Sequence, residues 1–453
     1  ISAMDIQRES VKQIIQQAKS ANVKIVAGGP LFTGEYESFP EVDHFILNEG
    51  EITLVQFLAD LEAGQPQRLY RTDDFADIRQ TPPPLWNLLN FDAYDSMAVQ
   101  FSRGCPFNCD FCNVTALLGH KPRTKSAEQL IGELDQLYQL GWRRNIFIVD
   151  DNFIGNKKQL KEEILPALIE WRKGKVGCLF ITEASINLAD DDELIRQMVA
   201  AGFINIFIGI ETPDDAGLVE CQKSQNRNRD LVQAVHKLQH AGLNIMAGFI
   251  VGFDSDAPTI FDRQIDFIQE SGIIVAMVGL LQAPFGTRLY ARLQEENRLL
   301  SEMTGDNADG STNIVPRMDP LTLSQGYQRV VQTVYSPEVF YQRVRTFLSN
   351  YRPNGSPVHM EIHEVKALFR SIFKLGIIGK ERKQYWNLFF WTLFRFPLRM
   401  PAAITMTIYG YHFRKIVELQ QQAKAREVRS VKRSQQKSEP LALASNKGVY
   451  RNK

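Results

Sequence analysis

Hydrophobic residues along the middle of the chain form short apolar runs separated by longer amphipathic segments. Between about residues 97 and 300 this alternation occurs six times. The amphipathic segments carry apolar residues three and four apart, as in Leu130, Leu134 and Leu137, which predicts helices with one buried face. The apolar runs, which we interpret as strands, are residues 98–102, 145–150, 176–182, 205–210, 244–251 and 273–281. Apolar strands that alternate with helices predict an α/β fold, here a partial (β/α)6 barrel with its chemistry at the carboxyl ends of the strands.

The first 65 residues or so also alternate between helical and strand patterns. Apolar residues at helical spacing from Val11 to Ala18 precede an apolar run at 23–27, which ends in Gly28, Gly29 and Pro30. A second run at 43–47 leads into a helix pattern carrying Leu54, Phe57, Leu58 and Leu61. This order predicts part of a doubly wound, Rossmann-like sheet. The sequence begins at Ile1 without an initiator methionine, so we expect a part of a longer chain whose first residues already form a strand.

Beyond residue 300 the regular alternation stops and a mainly helical region is expected. Residues 327–344 have a helical pattern, and residues 384–399 are dense in aromatics, namely Trp386, Phe389, Phe390, Trp391, Phe394 and Phe396. This aromatic cluster is compatible with packing against the barrel and with an interfacial helix that dips into lipid. Residues 412–453 hold 11 Lys plus Arg against 3 Glu, which predicts a solvated, disordered tail.

These patterns divide the chain into five segments. We predict an N-terminal α/β unit at 1–70, a linker with three consecutive prolines at 71–96, the barrel at 97–300, a mainly helical region at 301–420 and the basic tail at 421–453.

Composition narrows the classes of partner and compartment. The 453 residues are 44% hydrophobic and 23% charged with zero formal net charge, so no global attraction to nucleic acid is expected. The chain holds five cysteines and no run of about 18 apolar residues, which predicts a cytoplasmic protein in a reducing compartment. The aromatic cluster and the basic tail leave peripheral association with a membrane as a further expectation.

Three of the five cysteines fall within eight positions directly after the first predicted barrel strand. Cys105, Cys109 and Cys112 form a C-x3-C-x2-C pattern. Thiolates hold iron–sulfur clusters, normally one per iron, so three of them leave one iron of a four-iron cluster open to a substrate or cofactor. A zinc site with His120 as fourth ligand is the alternative. Cys178 and Cys221 are assigned to packing or to chance.

The segment from Cys105 to Cys112, "CPFNCDFC", follows Arg103 and Gly104 and opens the six-fold array. It resembles the radical S-adenosylmethionine (SAM) superfamily. The resemblance implies that the three cysteines hold a [4Fe–4S] cluster whose open iron binds the amino and carboxylate groups of SAM. Reductive cleavage of SAM would then give a 5′-deoxyadenosyl radical, with an electron donor such as flavodoxin or ferredoxin.

The same resemblance implies SAM contacts at the ends of later strands. Candidate contacts are Asp150 and Asp151 after the second strand, Glu183 after the third, Glu211 after the fourth, and Gly248, Gly252 and Asp254 at the fifth. The usual Gly-Gly-Glu motif is absent after the second strand, where the two aspartates stand instead. Each residue alone also fits a helix cap or a tight turn.

The N-terminal segments "VKIVAGGP" and "NEGEITLVQFL" resemble the later part of the cobalamin-binding domain that precedes many members of the superfamily. Gly28 and Gly29 would let the backbone approach the nucleotide tail, although no Asp-x-His-x-x-Gly motif is present. The C-terminal region resembles the extension of the subgroup that contains the hopanoid C-2 methylases. The implied function is cobalamin-dependent methylation of an unactivated carbon on an apolar, hopanoid-like small molecule or lipid.

Two alternatives stay open. One is a radical enzyme that catalyses rearrangement, oxidation or ring formation without methyl transfer. The other is a non-catalytic iron–sulfur or zinc protein that binds a partner through its aromatic C-terminal region.

Overall fold

The computed structural model describes residues 1–353, 362–420 and 422, with backbone alone for 362–364. The predicted tail at 421–453 lies outside the described residues apart from residue 422. Within the described part, no helix combines the length and the apolar composition needed to cross a membrane.

The N-terminal unit is a small parallel sheet packed by three helices. Its elements are α1 (Arg8–Ser20), β1 (Val26–Gly28), α2 (Pro30–Glu35), β2 (His44–Ile46), α3 (Gly50–Glu62) and β3 (Leu69–Tyr70), with strand order β1-β2-β3. Ser2 pairs in parallel with Gly28, so the first residues extend the sheet as predicted. Leu31, Phe32 and Phe45 are fully buried at the centre of its core.

Helix α3 forms as predicted, but its predicted apolar face is wrong. Thr53 and Phe57 are buried, whereas Leu54, Leu58 and Leu61 are exposed. The ring of Phe57 packs edge-on against Tyr70, with centroids 5.5 Å apart. Because β3 is only two residues long, the sheet offers α3 a narrow surface and leaves the flanking leucines uncovered.

The central unit opens with β4 (Ser96–Val99) and a two-stranded antiparallel hairpin, β5 (Ser102–Arg103) and β6 (Arg123–Thr124). The hairpin connection holds the three clustered cysteines and the short helix α4 (Val114–Leu118). The predicted first strand, 98–102, is therefore divided, since its last residue belongs to the hairpin.

Six parallel strands make the main sheet, in the order β11-β10-β9-β8-β7-β4. The strands are β4, β7 (Asn145–Ile148), β8 (Phe180–Glu183), β9 (Phe203–Glu211), β10 (Asn244–Val251) and β11 (Ala276–Leu280). The helices are α5 (Ala127–Gln139), α6 (Lys157–Gln159), α7 (Leu165–Arg172), α8 (Asp192–Ala201), α9 (Asp215–Glu220), α10 (Leu231–His240), α11 (Ile260–Ser271) and α12 (Arg288–Glu295). The π-helical segment Leu160–Ile164 joins α6 to α7. This sheet confirms the predicted partial (β/α)6 barrel.

The third predicted strand begins four residues late. Gly177 and Cys178 have φ angles of 74° and 53°, and this left-handed backbone cannot continue an extended strand. Cys178 is buried and its thiol contacts the carbonyl of Trp142, in keeping with a packing role.

The C-terminal region is helical and shares its core with the barrel. Its helices are α13 (Pro320–Val334), α14 (Pro337–Asn350), α15 (Ile362–Ser371), which continues as the π-helical segment Ile372–Ile377, α16 (Arg382–Arg395) and α17 (residues 400–420). The predicted helix at 327–344 breaks at Ser336 because the following proline disfavours a helical conformation there. Val330, Phe340 and Phe347 are buried in the same continuous core as the sheet. The five-segment division stays a prediction.

Candidate functional site

The base of the cysteine loop is closed by a contact that only glycine permits. Gly104 has a φ of 95°, and a Cβ there would lie 2.8 Å from the carbonyl oxygen of Gly119. The Cys105 amide also donates to that carbonyl, at 3.2 Å. The hairpin therefore brings both ends of the loop together directly beneath the first cysteine.

A buried carboxylate joins this hairpin to the N-terminal unit. Arg103 and Arg123 face each other across β5 and β6, and each donates to a different oxygen of Glu49, at 2.6 and 2.7 Å. Glu49 is only 4% exposed. Glu51 accepts the other terminal nitrogen of Arg103 at 2.7 Å. The loop after β2, noted in the sequence as "NEGE", thus fixes the base of the cysteine loop.

The middle of the cysteine loop is anchored at Asp110. Its amide donates to the carbonyl of Cys221 at 3.0 Å, its carbonyl accepts from the amide of Leu289 at 3.1 Å, and its carboxylate pairs with Arg288 at 2.6 Å. Arg288 and Leu289 are the first two residues of α12, so the cysteine loop is tied to the start of that helix. Cys221 is buried, so the packing role expected for it fits its surroundings.

The three thiols line one cavity of about 190 Å³ at the carboxyl ends of the strands. The other polar residues that line it are Asp151, Asn152, Glu183, Ser185, Glu211, Lys223 and Gln225. In the described part, no three His, Cys, Asp or Glu side chains converge closely enough on one point to hold a single metal ion. His120 is exposed and does not line the cavity, so the zinc alternative lacks its predicted fourth ligand.

Two amide groups point at the sulfurs. Asn152 Nδ2 lies 4.0 Å from Cys105 Sγ, and Gln225 Nε2 lies 3.7 Å from Cys109 Sγ. The buried Oε1 of Gln225 has no hydrogen-bond partner among the described residues. N–H donors to thiolate stabilise negative charge on sulfur, which suits an anionic metal–thiolate centre.

Burial controls the protonation of the thiols. Desolvation raises the pKa of Cys112 to about 12 and also raises the pKa of Cys105. Both thiols are therefore protonated at neutral pH in the free protein. A metal that binds them must displace protons, as is usual for thiolate ligands.

A buried ion pair forms one wall of the cavity. Lys223 Nζ donates to Glu211 Oε1 at 2.7 Å. Burial lowers the pKa of Lys223, but the charges of Glu211 and Cys109 outweigh it and the net shift is upward. Lys223 is therefore a fixed positive charge beside the thiols. Sequence analysis missed it because it lies on a loop far from the cysteine motif, with no local pattern to mark it.

Glu211 reaches the cavity through a strained turn at the end of β9. Its φ is +65°, and the Thr212 amide donates to the carbonyl of Ile210 at 2.9 Å, which closes a γ-turn. The pairing of β9 with β10 skips one residue at this point, because Gly248 faces Gly209 and the next residue faces Glu211. A Cβ on Gly209 would overlap the Glu211 carboxylate, so this glycine leaves room for the ion pair.

Asp151 and Glu183 are the two other predicted acids that line the cavity. Burial, with the charge of Asp151 as a smaller cause, raises the pKa of Glu183 to about 7. Burial also raises the pKa of Asp151. The Glu183 carboxyl group can therefore accept or donate a hydrogen bond near neutral pH.

The remaining predicted site residues do not line this cavity. Asp150 is buried and accepts from the Phe101 amide at 2.8 Å and the Ser102 hydroxyl at 2.6 Å, so it ties β7 to the start of the hairpin. Asp254 pairs with three arginines, Arg292, Arg298 and Arg317. Both carboxylates have structural partners in the protein.

The predicted glycines serve close packing. The Gly252 amide, with φ at 103°, donates to Asp256 Oδ2 at 2.7 Å, and Gly248 packs against the Phe207 ring. A Cβ on Gly29 would lie 2.9 Å from the Ala3 carbonyl oxygen, and one on Gly28 would meet the carbonyl oxygen of Ile46 at 2.5 Å. As cofactor contacts, these four glycines stay predictions.

A larger cavity of about 790 Å³ lies between the N-terminal unit and the barrel. Sequence analysis did not find it, because its walls come from distant segments. They include Pro30, Thr33, Gly34, Tyr36 and Asn48 of the N-terminal unit, Asn113, Ala116 and Leu117 after the cysteines, and Ala283, Phe285, Gly286, Tyr290 and residues 299–303. Cys112 and Val114 line the smaller cavity. The segment 112–117 therefore separates the two cavities.

Comparison with known proteins places this site in a family. The pattern of the radical SAM superfamily matches residues 99–268, and a domain of unknown function matches residues 287–426. The chain is 38% identical to an uncharacterized methyltransferase of Synechocystis sp. over 98% of this chain and 85% of that protein. It is 30% identical to a hopanoid C-2 methylase of Rhodopseudomonas palustris over 85% of this chain and 75% of that protein.

The chain belongs to the radical SAM superfamily.

A solved structure shows the same fold. OxsB, described as a cobalamin-dependent SAM radical enzyme with aqua-cobalamin and SAM bound, superposes with a TM-score of 0.59 at 14% identity. The match covers 95% of this chain and 72% of that chain.

Membership in the radical SAM superfamily makes this chain an enzyme that uses a [4Fe–4S] cluster and SAM. The residues present suit both groups. Three thiols surround one cavity and leave one cluster corner without a protein thiolate, and the acids beside them offer acceptors for a polar cofactor. The cluster, when bound, supplies an electron to SAM.

Replacing Glu49 should loosen the cysteine loop. Glu49→Gln leaves two arginines with a neutral partner, and we expect the free energy of unfolding to fall by about 2–4 kcal/mol. Urea unfolding of the metal-free protein measures this change. Glu51→Gln is the matched control, since Glu51 is more exposed and bonds to one arginine only, so it should cost under about 1 kcal/mol. Equal losses for the two variants would contradict the role given to Glu49.

Breaking the Glu211–Lys223 pair should lower the free energy of unfolding strongly, and removing both charges should lower it less. Lys223→Met leaves a buried carboxylate without its cation, which we expect to cost about 3–5 kcal/mol. The double variant Lys223→Met/Glu211→Gln should regain at least half of that loss. Urea unfolding of the parent, of Lys223→Met, of Glu211→Gln and of the double variant tests the coupling, and additive losses would show that the pair does not act as a unit.

Proposed function

We propose that this enzyme methylates an unactivated carbon of an apolar, hopanoid-like substrate, with cobalamin as the methyl carrier. The names of two similar relatives, a methyltransferase and a hopanoid C-2 methylase, support methyl transfer and this substrate class. Each relative is matched over at least three quarters of its own length, so the similarity extends well beyond the radical SAM region.

The observation that carries the proposal is the shared wall between the two cavities. The smaller cavity holds the thiols, and the larger one lies on the other side of segment 112–117. A methyl-transferring enzyme of this class needs SAM at the cluster and a large cofactor within reach of the same substrate. Two adjoining cavities of unequal size meet that need.

The larger cavity suits a large polar cofactor such as cobalamin. Its wall includes Asn48, which has a left-handed backbone at φ 63° and a buried Oδ1 without a hydrogen-bond partner in the described part. The backbone amide of Asn48 donates to Thr33 Oγ1 at 3.1 Å, and this hydrogen bond fixes the turn. No histidine lies among the described residues that line this cavity. Cobalamin, when bound there, supplies methyl-transfer chemistry.

At the smaller cavity each side chain has a distinct task in the proposal. Cys105, Cys109 and Cys112 hold the cluster, and Asn152 and Gln225 stabilise negative charge on its sulfurs. Asp151, Glu183 and Glu211 face the polar groups of SAM. The positive charge of Lys223 holds the Glu211 carboxylate in place against the strain of its turn.

The proposal extends to two partners. A small redox protein such as flavodoxin or ferredoxin supplies electrons to the cluster. A hopanoid-like substrate dissolves in membranes rather than in water. The proposal therefore includes peripheral association of the enzyme with a membrane surface, without a membrane-spanning segment.

Turnover under anaerobic conditions tests the reaction. With iron, sulfide, cobalamin, SAM, a reductant and a polycyclic lipid, we expect 5′-deoxyadenosine, S-adenosylhomocysteine and a methylated lipid, all detected by mass spectrometry. Cys109→Ser should abolish all three products. Formation of 5′-deoxyadenosine alone would favour a radical reaction without methyl transfer. A cluster spectrum that SAM does not perturb would favour a non-catalytic binding protein.

Filling the larger cavity should separate cobalamin binding from cluster binding. Ala116→Phe places a ring in that cavity, so we expect at least a tenfold loss of cobalamin affinity with unchanged iron content. The control is Ala59→Phe on the exposed side of α3, which should alter neither quantity. Cobalamin absorbance after gel filtration and iron analysis provide the two readouts. Unchanged cobalamin affinity in Ala116→Phe would exclude this cavity as the corrin site.

A further inference from the structure

A surface at the C-terminal end of the described chain exposes eight large apolar side chains within thirty residues. We name it the C-terminal apolar face, and its members are Phe369, Phe373, Ile377, Ile378, Phe390, Leu393, Phe394 and Leu398. Phe394 and Leu398 are 83% and 85% exposed. Single exposed apolar residues are common on soluble proteins, but a cluster of this size marks an interaction surface.

The face belongs to a helical hairpin made by α15, its π-helical continuation and α16. Trp386 Nε1 donates to the Gly376 carbonyl at 2.9 Å, and the hydroxyl groups of Ser371 and Tyr385 lie 3.0 Å apart, which joins the two arms side by side. The inner side of the hairpin is buried, with Leu375 and Leu388 in the main core. The hairpin is therefore anchored to the enzyme on one side and uncovered on the other.

Aromatic rings continue along the uncovered side of α16. The Trp386 ring stacks on Phe390 with centroids 5.7 Å apart, and Phe390 stacks on Phe394 at 6.5 Å. On the other arm, Phe369, Phe373 and Ile377 recur every four residues, a spacing that keeps helical side chains on one side. Two apolar rows thus run along the two arms of one hairpin.

The charges beside these rows are almost all positive. Residues 365–400 contain a single acid, Glu381, which is buried and paired with Arg414. The exposed cations of this segment are Lys366, Arg370, Lys374, Lys380, Arg382, Lys383 and Arg395. An anionic lipid leaflet has negative headgroups above an apolar layer of acyl chains. Exposed rings with exposed cations beside them match that arrangement.

We infer that the C-terminal apolar face docks the enzyme onto the surface of a membrane that contains anionic lipids. The aromatic rings enter the boundary between headgroups and acyl chains while the cations contact lipid phosphates. A second copy of the chain is a poor occupant, because a two-fold interface would bring the seven exposed cations together with their own counterparts. Because no described helix can cross a bilayer, the contact is interfacial.

This inference deepens the membrane association in the proposed function, but it does not depend on methyl transfer. Vesicle binding can be measured without turnover. A failure of docking would leave the cluster and cobalamin tests unaffected, and a failure of methylation would leave the docking test valid.

Flotation of the full-length, cluster-reconstituted enzyme with vesicles tests the inference under anaerobic conditions. We expect binding to vesicles of phosphatidylcholine with 30 mol% phosphatidylglycerol, and at least tenfold weaker binding to phosphatidylcholine alone. Phe373→Ser/Phe394→Ser should weaken binding at least tenfold, because two rings lose their apolar contact. The control Leu85→Ser/Leu88→Ser removes two exposed leucines elsewhere and should bind as the parent enzyme does.

The contribution of charge is tested separately. Lys374→Gln/Lys380→Gln/Arg395→Gln should weaken binding to anionic vesicles by about fivefold per cation removed, whereas Lys24→Gln/Lys158→Gln/Lys173→Gln should not. Neutralising the Lys and Arg residues of 421–453 shows whether the basic tail acts alone. Unchanged binding in the double Phe variant, or binding lost only with the tail charges, would overturn the inference. Dimers that dissociate in the double Phe variant, without any vesicle binding by the parent, would show a self-association surface instead.

Discussion

A single buried carboxylate, shared by two arginines, holds the catalytic loop of this enzyme against its N-terminal unit. Glu49 lies in the turn between β2 and α3, and Arg103 and Arg123 lie at the two ends of the cysteine loop. A carboxylate this well buried is stable only while both partners stay in place, because an unpaired charge at low exposure costs several kcal/mol. The position of the thiols relative to the N-terminal unit is therefore set by two hydrogen-bonded ion pairs, while the loop itself carries the cluster ligands.

The same constraint explains why the two cavities lie so close together. The segment 112–117 leaves the cysteine loop and forms the wall between them, so any movement of the hairpin changes both volumes at once. The larger cavity is lined by the N-terminal unit, by this wall and by the turn after β11. Asp110, in the middle of the loop, binds the start of α12, just after that turn, through backbone and side chain. Both cavities therefore depend on the position of one short stretch of backbone, segment 112–117. This segment separates the cavities and also keeps them close together.

The sequence was sufficient to predict features that depend on local pattern. Six apolar strands, the amphipathic helices and the cysteine loop at the start of the barrel all follow from spacing, and Cys105, Cys109 and Cys112 do line one cavity. Features that depend on tertiary contact could not be predicted. Lys223 and Gln225 come from a loop with no motif, and the larger cavity exists only where distant segments meet. Asp150 and Asp254 stand where the family resemblance implies SAM contacts. The Asp150 carboxylate, however, accepts from the Phe101 amide and the Ser102 hydroxyl, and the Asp254 carboxylate pairs with arginines. The leucines of α3 have helical spacing, yet the short β3 leaves them uncovered.

Net charge conceals how this protein distributes its charges. The formal net charge is zero, which removes any long-range attraction to polyanions, yet residues 365–400 expose seven cations, and the one acid among them, Glu381, is buried. At physiological ionic strength a charge acts over about 8 Å, so a local cluster governs contact with a surface even when the whole molecule is neutral. Three buried acids, in contrast, are neutralised locally, because Glu49, Glu211 and Glu381 each have a cation at hydrogen-bond distance. These three acids are paired with cations in the interior, whereas the seven exposed cations of residues 365–400 lie beside the exposed rings, where they can contact a partner.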